Sequence, residues 1–157
     1  MSKKILKYGE RCDSSDDECC DDGPIYVTVP NRETMDLWSE PVSGLSTSFY
    51  LGSGESLVYD QVAKVLGKNS FISSFSVRTG NLMPLSNIVT FSLVTRTDPS
   101  VGTDTVLGSI TLAGGGFFGS AAVNQTVTAG STITIRVDGS NGVNFDSISA
   151  QVFFTIN

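Results

Sequence analysis

The three cysteines of this 157-residue chain, Cys12, Cys19 and Cys20, stand among seven carboxylates: Glu10, Asp13, Asp16, Asp17, Glu18, Asp21 and Asp22. Such a cluster admits metal binding, catalysis by a thiol, or cross-linking, and each asks something further of the sequence. The chain has no histidine. The commonest zinc ligand and the usual general base near neutral pH are therefore missing, and with them the Ser/His and Cys/His nucleophile pairs. Zinc held by three cysteines would need a carboxylate as fourth ligand, and the adjacent Cys19 and Cys20 do not match the spaced pairs of structural sites. The run Asp13 to Glu18 offers oxygens to a hard cation without the spacing of a calcium loop, so diffuse binding is expected and a cage is not. Flanking carboxylates disfavour the thiolate, which argues against a tuned catalytic cysteine. No catalytic residue, metal site or cofactor is expected, and the chain reads as a non-enzyme.

Cross-linking is left. A bond between Cys19 and Cys20 closes a strained ring. Pairing either with Cys12 closes a loop within the chain and leaves one thiol over, and an odd thiol suggests an intermolecular bond. Cys12, Cys19 and Cys20 are thus expected to act as connector residues.

Charge marks the segment that carries them. Lys3, Lys4 and Lys7 give residues 1–9 a charge of +3, and the seven carboxylates against Arg11 give residues 10–22 a charge of −6. The remaining 135 residues carry −3 of the net −6. Residues 1–23 are expected to form an extended arm ahead of a domain over residues 24–157. A basic groove with interleaved aromatics is absent, so nucleic acid is not an expected partner. No apolar run approaches the roughly 20 residues that span a bilayer, so neither is a membrane. The start MSKKILKYGERC is basic but lacks the apolar core of a signal peptide. An extracellular location is therefore expected to be reached without Sec export.

From Pro24 onward, short β-rich runs alternate with Gly, Pro, Asn and Asp turns. Ile25, Tyr26, Val27, Thr28 and Val29 read as a short strand closed by Pro30, a candidate for strand addition to a neighbour. Residues 31–46 read as irregular, with a helical turn near Met35 to Trp38 and Trp38 anchoring the loop to the core. TSFYL, FISSFSVRT, IVTFSLVTRT, TVLGSITL, AAVNQTVTAGSTITIRV and SISAQVFFTI supply further strands. In these, Phe71, Ser73, Phe75 and Val77 should share one face, as should Val89, Phe91 and Leu93, and Ile148, Ala150, Val152, Phe154 and Ile156. SLVYDQVAKVL fits a helix or a strand, and its context favours a strand. In AGGGFFG, Phe117 and Phe118 either fold back onto the core, which is the expectation, or form a sticky patch for a neighbouring subunit. Asp98 and Asp138 read as turn formers, and Asn124-Gln125-Thr126 as a chance sequon. The whole predicts an all-β chain: an antiparallel jelly-roll-like sandwich of about 7–9 strands with an extended N-terminal arm.

The paired cysteines ahead of a β domain, followed by QTVTAGSTITIRVDG and SISAQVFFTIN, resemble the Ena-type endospore appendage pilins and the small exosporium β-proteins of spore-forming bacilli. That resemblance implies a self-assembling jelly-roll subunit whose arm reaches a neighbour and forms disulfides there. Cys19 and Cys20 would match the connector pair and Cys12 an upstream connector cysteine. Those subunits receive the bonds on cysteines of the β body, and residues 21–157 here have none. The arm would then bond another arm or a second surface or anchoring protein. The expected role is a structural, self-assembling subunit of an extracellular surface structure such as the spore surface. The alternative is a viral or phage fibre, decoration or attachment protein with a trimeric jelly-roll domain. A sugar-binding module is disfavoured, because one tryptophan and few other aromatics make a poor stacking platform.

Overall fold

A computed structural model describes residues 32–42, 48–56, 58–98, 102–139 and 142–156. The connector cysteines and the segment Ile25 to Val29 lie outside the described residues. Ten strands are assigned among the described residues: β1 (Arg32–Ser39), β2 (Phe49–Gly52), β3 (Gly54–Ser56), β4 (Lys64–Val65), β5 (Ser70–Thr79), β6 (Val89–Arg96), β7 (Thr105–Leu112), β8 (Phe118–Val127), β9 (Thr132–Asp138) and β10 (Ile148–Ile156). The one helical element among them is a 3-10 turn, Tyr59–Gln61.

Two antiparallel sheets result. One has the order β1-β10-β5-β8; the other has the order β3-β2-β9-β6-β7, with β4 also paired to β9. Apart from the hairpin β6–β7 and the short additions β3 and β4, each successive strand crosses to the opposite sheet. This is the double Greek key of a jelly roll, as the turn-rich sequence predicts.

Alternation sets which residues are inside. Phe75, Val77, Ala150, Val152 and Leu37 of the first sheet meet Phe91, Leu93, Ile135, Val137, Phe49 and Leu51 of the second in one continuous core. Phe91 and Phe145 pack edge to face, 6.4 Å between ring centroids. The faces expected for β6 and β10 are the ones found, although Ile156 is only partly buried. Among the described residues, Ser39 Oγ is the buried side-chain polar atom without a hydrogen-bond partner.

Four readings of the sequence are corrected. Arg32–Ser39 is a strand, not a loop with a helical turn: Leu37 is buried while Asp36 and Trp38 point out, and all eight residues pair with β10. Trp38 accordingly stands on the outer face. In β5 the register slips between Ile72 and Ser74, so Ile72, Phe75 and Val77 are buried and Phe71 and Ser73 are not. A bulge leaves one residue unpaired and inverts the alternation beyond it; Ser73 is that residue, and its hydroxyl donates to the Phe153 carbonyl at 3.1 Å. Within SLVYDQVAKVL, Ser56 ends β3, Tyr59–Gln61 is a 3-10 turn, and strand is otherwise confined to the two-residue β4. Its Tyr59 is buried, with its hydroxyl donating to the Thr132 carbonyl at 3.1 Å.

Candidate functional site

Two clusters of polar and aromatic side chains stand out, one on the outer face of each sheet. On the second sheet, Tyr50 of β2, Arg96 of β6, Arg136 and Asp138 of β9, and Asp104 just before β7 form a connected network. Both Asp104 oxygens are engaged. Arg96 donates to Oδ1 at 2.7 Å, while Arg136 Nη1 and the Tyr50 hydroxyl donate to Oδ2 at 2.9 and 3.0 Å. Arg136 Nε donates to Asp138 at 2.9 Å, and Ser48 donates to the other Asp138 oxygen. The Arg96 guanidinium lies 3.9 Å from the Tyr59 ring centroid.

Burial alone would raise the Asp104 carboxyl, but the hydrogen bonds from Arg96, Tyr50 and Arg136 outweigh it and hold the group below the usual carboxylate range. Burial and the bond to Asp104 push the Tyr50 hydroxyl up. An acid this saturated with donors is a poor base, and a phenol pushed up is a poor nucleophile. The arrangement suits a clamp that fixes the β6–β7 connection against β2 and β9. Asp138, which the sequence suggests as a turn former, ends β9 and serves this clamp.

The first sheet carries an open groove of about 620 Å³ on its outer face. Register places its residues. Trp38 of β1 pairs with Ser149 of β10, Ser149 with Arg78 of β5, and Arg78 with Phe118 of β8, so the four form one cross-strand row. The next outward row is Asp36, Gln151, Ser76 and Ser120. Trp38 and Phe118 are 43% and 57% exposed, and Phe117 beside Phe118 is 45% exposed. The expectation that the two phenylalanines fold onto the core is therefore reversed. Gly119 is the reason: its backbone runs so close to Ile110 that a Cβ would sit 2.4 Å from that side chain, and Phe118, one residue earlier on the strand, must face out.

The backbone beneath the groove is fixed. Trp38 is bridged to Ser149 on one side and to Ser53 on the other. Thr79 N donates to the Phe117 carbonyl at 2.9 Å. Gln151 Nε2 donates to Asp36 Oδ1 at 3.0 Å. Among the described residues, the Arg78 side chain makes no hydrogen bond, ion pair or ring contact. Sequence reasoning misses this site because its walls lie 80 residues apart and meet only through the strand order.

At the end of the sandwich next to the groove, the loops following β5 and β7 are joined by Met83 and Gly116, at 2.9 Å from N to O. Leu82, Leu85 and Ile88 of the first loop are 61%, 90% and 62% exposed. No group of three His, Cys, Asp or Glu side chains suited to a metal occurs among the described residues. Asn124 of the formal sequon lies in β8 with a positive φ of 54°.

No family model and no curated protein matches the chain. Among solved structures it is similar to the Yersinia pseudotuberculosis-derived mitogen, with 9% identity, 82% of this chain and 88% of that chain covered, and a TM-score of 0.38. It is also similar to a chain in the structure of infectious bursal disease virus, Gx strain, with 8% identity, a TM-score of 0.39, and 88% of this chain against 36% of that one covered.

Proposed function

We propose that the chain is a non-catalytic structural subunit that assembles with copies of itself into an extracellular surface structure or particle, with residues 1–23 linking neighbours. The observation that carries this reading is the apolar end of the jelly roll. Leu82, Leu85 and Ile88 lie within seven residues of one another on one loop, each more than half exposed. Burying a leucine or isoleucine side chain is worth about 1.5–3 kcal/mol, so three together favour a contact that excludes water. The connector cysteines Cys12, Cys19 and Cys20 would then lock neighbours already brought together. The bonds would run arm to arm or to an anchoring protein, since residues 21–157 hold no cysteine.

Light scattering on purified protein across a range of concentrations, with and without reductant, tests this. Oligomers are expected in both conditions, and Leu85→Ser should shift them toward monomer. Cross-linked bands should appear on non-reducing gels for the wild type and vanish in the triple Cys→Ser variant. A monomer at every concentration, reduced or oxidised, would remove the assembly reading. Mass spectrometry of purified spore appendages and of purified virions assigns the assembly to one of them.

A further inference from the structure

Assembly through the end loops does not account for the groove on the outer face of β1, β10, β5 and β8. With strands about 4.8 Å apart, the Trp38 and Phe118 backbones stand about 14 Å from each other, three strand spacings across a floor of Ser149 and Arg78. The groove's volume of about 620 Å³ falls among small-ligand pockets of about 300–1,000 Å³. Its walls are aromatic and its floor is polar, and in the middle lies a guanidinium with no partner among the described residues.

Several ligand chemistries fit this poorly. An apolar peptide anchor seeks a dry pocket, and Ser76, Ser149 and Gln151 keep this floor wet. A nucleic-acid backbone needs several cations, and the groove offers Arg78 against Asp36. A pyranose has an apolar face of C–H groups and a rim of hydroxyls, which suit flanking rings and a floor of Ser, Gln and Asp oxygens. A carboxylate on that sugar would take the paired N–H bonds of Arg78. We propose that this groove binds a carboxylate-bearing saccharide, a uronic- or sialic-acid sugar, stacked on Trp38 and Phe118 with its carboxylate on Arg78.

Trp38 is the only tryptophan in the chain, so its fluorescence reports directly from the groove. The full chain is titrated with digalacturonate, a hyaluronan tetrasaccharide and 3′-sialyllactose, alongside galactobiose, chitotetraose and lactose as neutral counterparts. At least one acidic sugar should give a saturable change that its neutral counterpart does not, and which one responds separates the uronic from the sialic source. Arg78→Gln should weaken that sugar about tenfold or more and abolish the preference for acid. Phe118→Ala should weaken it to a similar extent, and Leu85→Ser should bind as the wild type does whether or not it assembles. Silence with all the acidic sugars, equal binding of the neutral ones, or a preference that survives Arg78→Gln would each overturn the proposal.

Discussion

Asp104 shows how one side chain can decide the pH range of a fold. It is 8% exposed and takes donors from three strands, Arg96, Arg136 and Tyr50. Its carboxyl is lower in the folded chain than in the unfolded one, where it sits near the ordinary value of about 3.9. The folded state therefore binds this proton less tightly, and the stability it contributes is complete above that ordinary value and lost as pH falls through the folded one. Tyr50 and Tyr59 are raised, by burial first, so their contribution is complete below about 10 and lost as pH rises through their folded values. Asp104→Asn should cost about 2 kcal/mol at neutral pH, between an exposed ion pair and a fully buried one, because two guanidinium groups lose their shared partner. Its denaturant midpoint should then change less than that of wild type between neutral pH and pH ~3. Equal losses on acidification would mean that another carboxylate controls the acid limb. The clamp was not legible in the sequence, since Tyr50, Arg96, Asp104 and Arg136 become neighbours only when β2, β9 and β6 lie side by side.

Strands were legible where alternation runs unbroken and hidden where it is diluted. β6 and β10 read directly, because Val89, Phe91 and Leu93, and Ile148, Ala150 and Val152, alternate with polar residues. β1 did not, because Arg32, Glu33, Thr34 and Asp36 leave Leu37 as its one buried large side chain. The bulge at Ser73 leaves no chemical mark in the sequence. Glycine works at the same scale: a Cβ on Gly108 of β7 would stand 3.3–3.4 Å from Val123 and Phe75, and one on Gly119 of β8 would run into Ile110. The two sheets close on each other along β7 and β8 because these positions lack a Cβ. Gly119→Ala places a methyl group 2.4 Å from Ile110 Cγ2, and overpacking of this kind costs about 1–3 kcal/mol. Chemical denaturation measures it, and the double variant Gly119→Ala, Ile110→Ala, which removes Cγ2, should lose less stability than the two single variants added together. If the double variant is no better than the sum of its parts, crowding against Ile110 is not the cause.

At the scale of the molecule, the jelly roll makes its two sheets one folding unit. The strands of each sheet come from distant parts of the chain: β1 lies beside β10, and β2 beside β9. Neither sheet can form from a continuous half of the sequence, and both inner faces feed one core. Phe75 belongs to the first sheet and Phe91 to the second, and both are fully buried. Were the sheets separable, Phe75→Ala would lower one transition and Phe91→Ala another. The shared core predicts instead a single cooperative transition that each variant lowers by about 3–5 kcal/mol, the usual cost of emptying a buried phenylalanine site. Far-UV circular dichroism follows the sheets and near-UV signals follow aromatic packing, so coincident curves in both variants are the expected result. Two resolved steps in either variant would show that the sheets unfold apart. The same coupling bears on the groove, whose walls sit on β1 and β8 at opposite edges of the first sheet. Their separation is set by the core that holds β10 and β5 between them, so Phe75→Ala should also weaken whatever Trp38 and Phe118 bind. Phe91→Ala, across the sandwich, should leave that binding closer to wild type at temperatures where both variants are folded. A binding loss equal in the two would place the control of the groove in the whole core and not in the sheet that carries it.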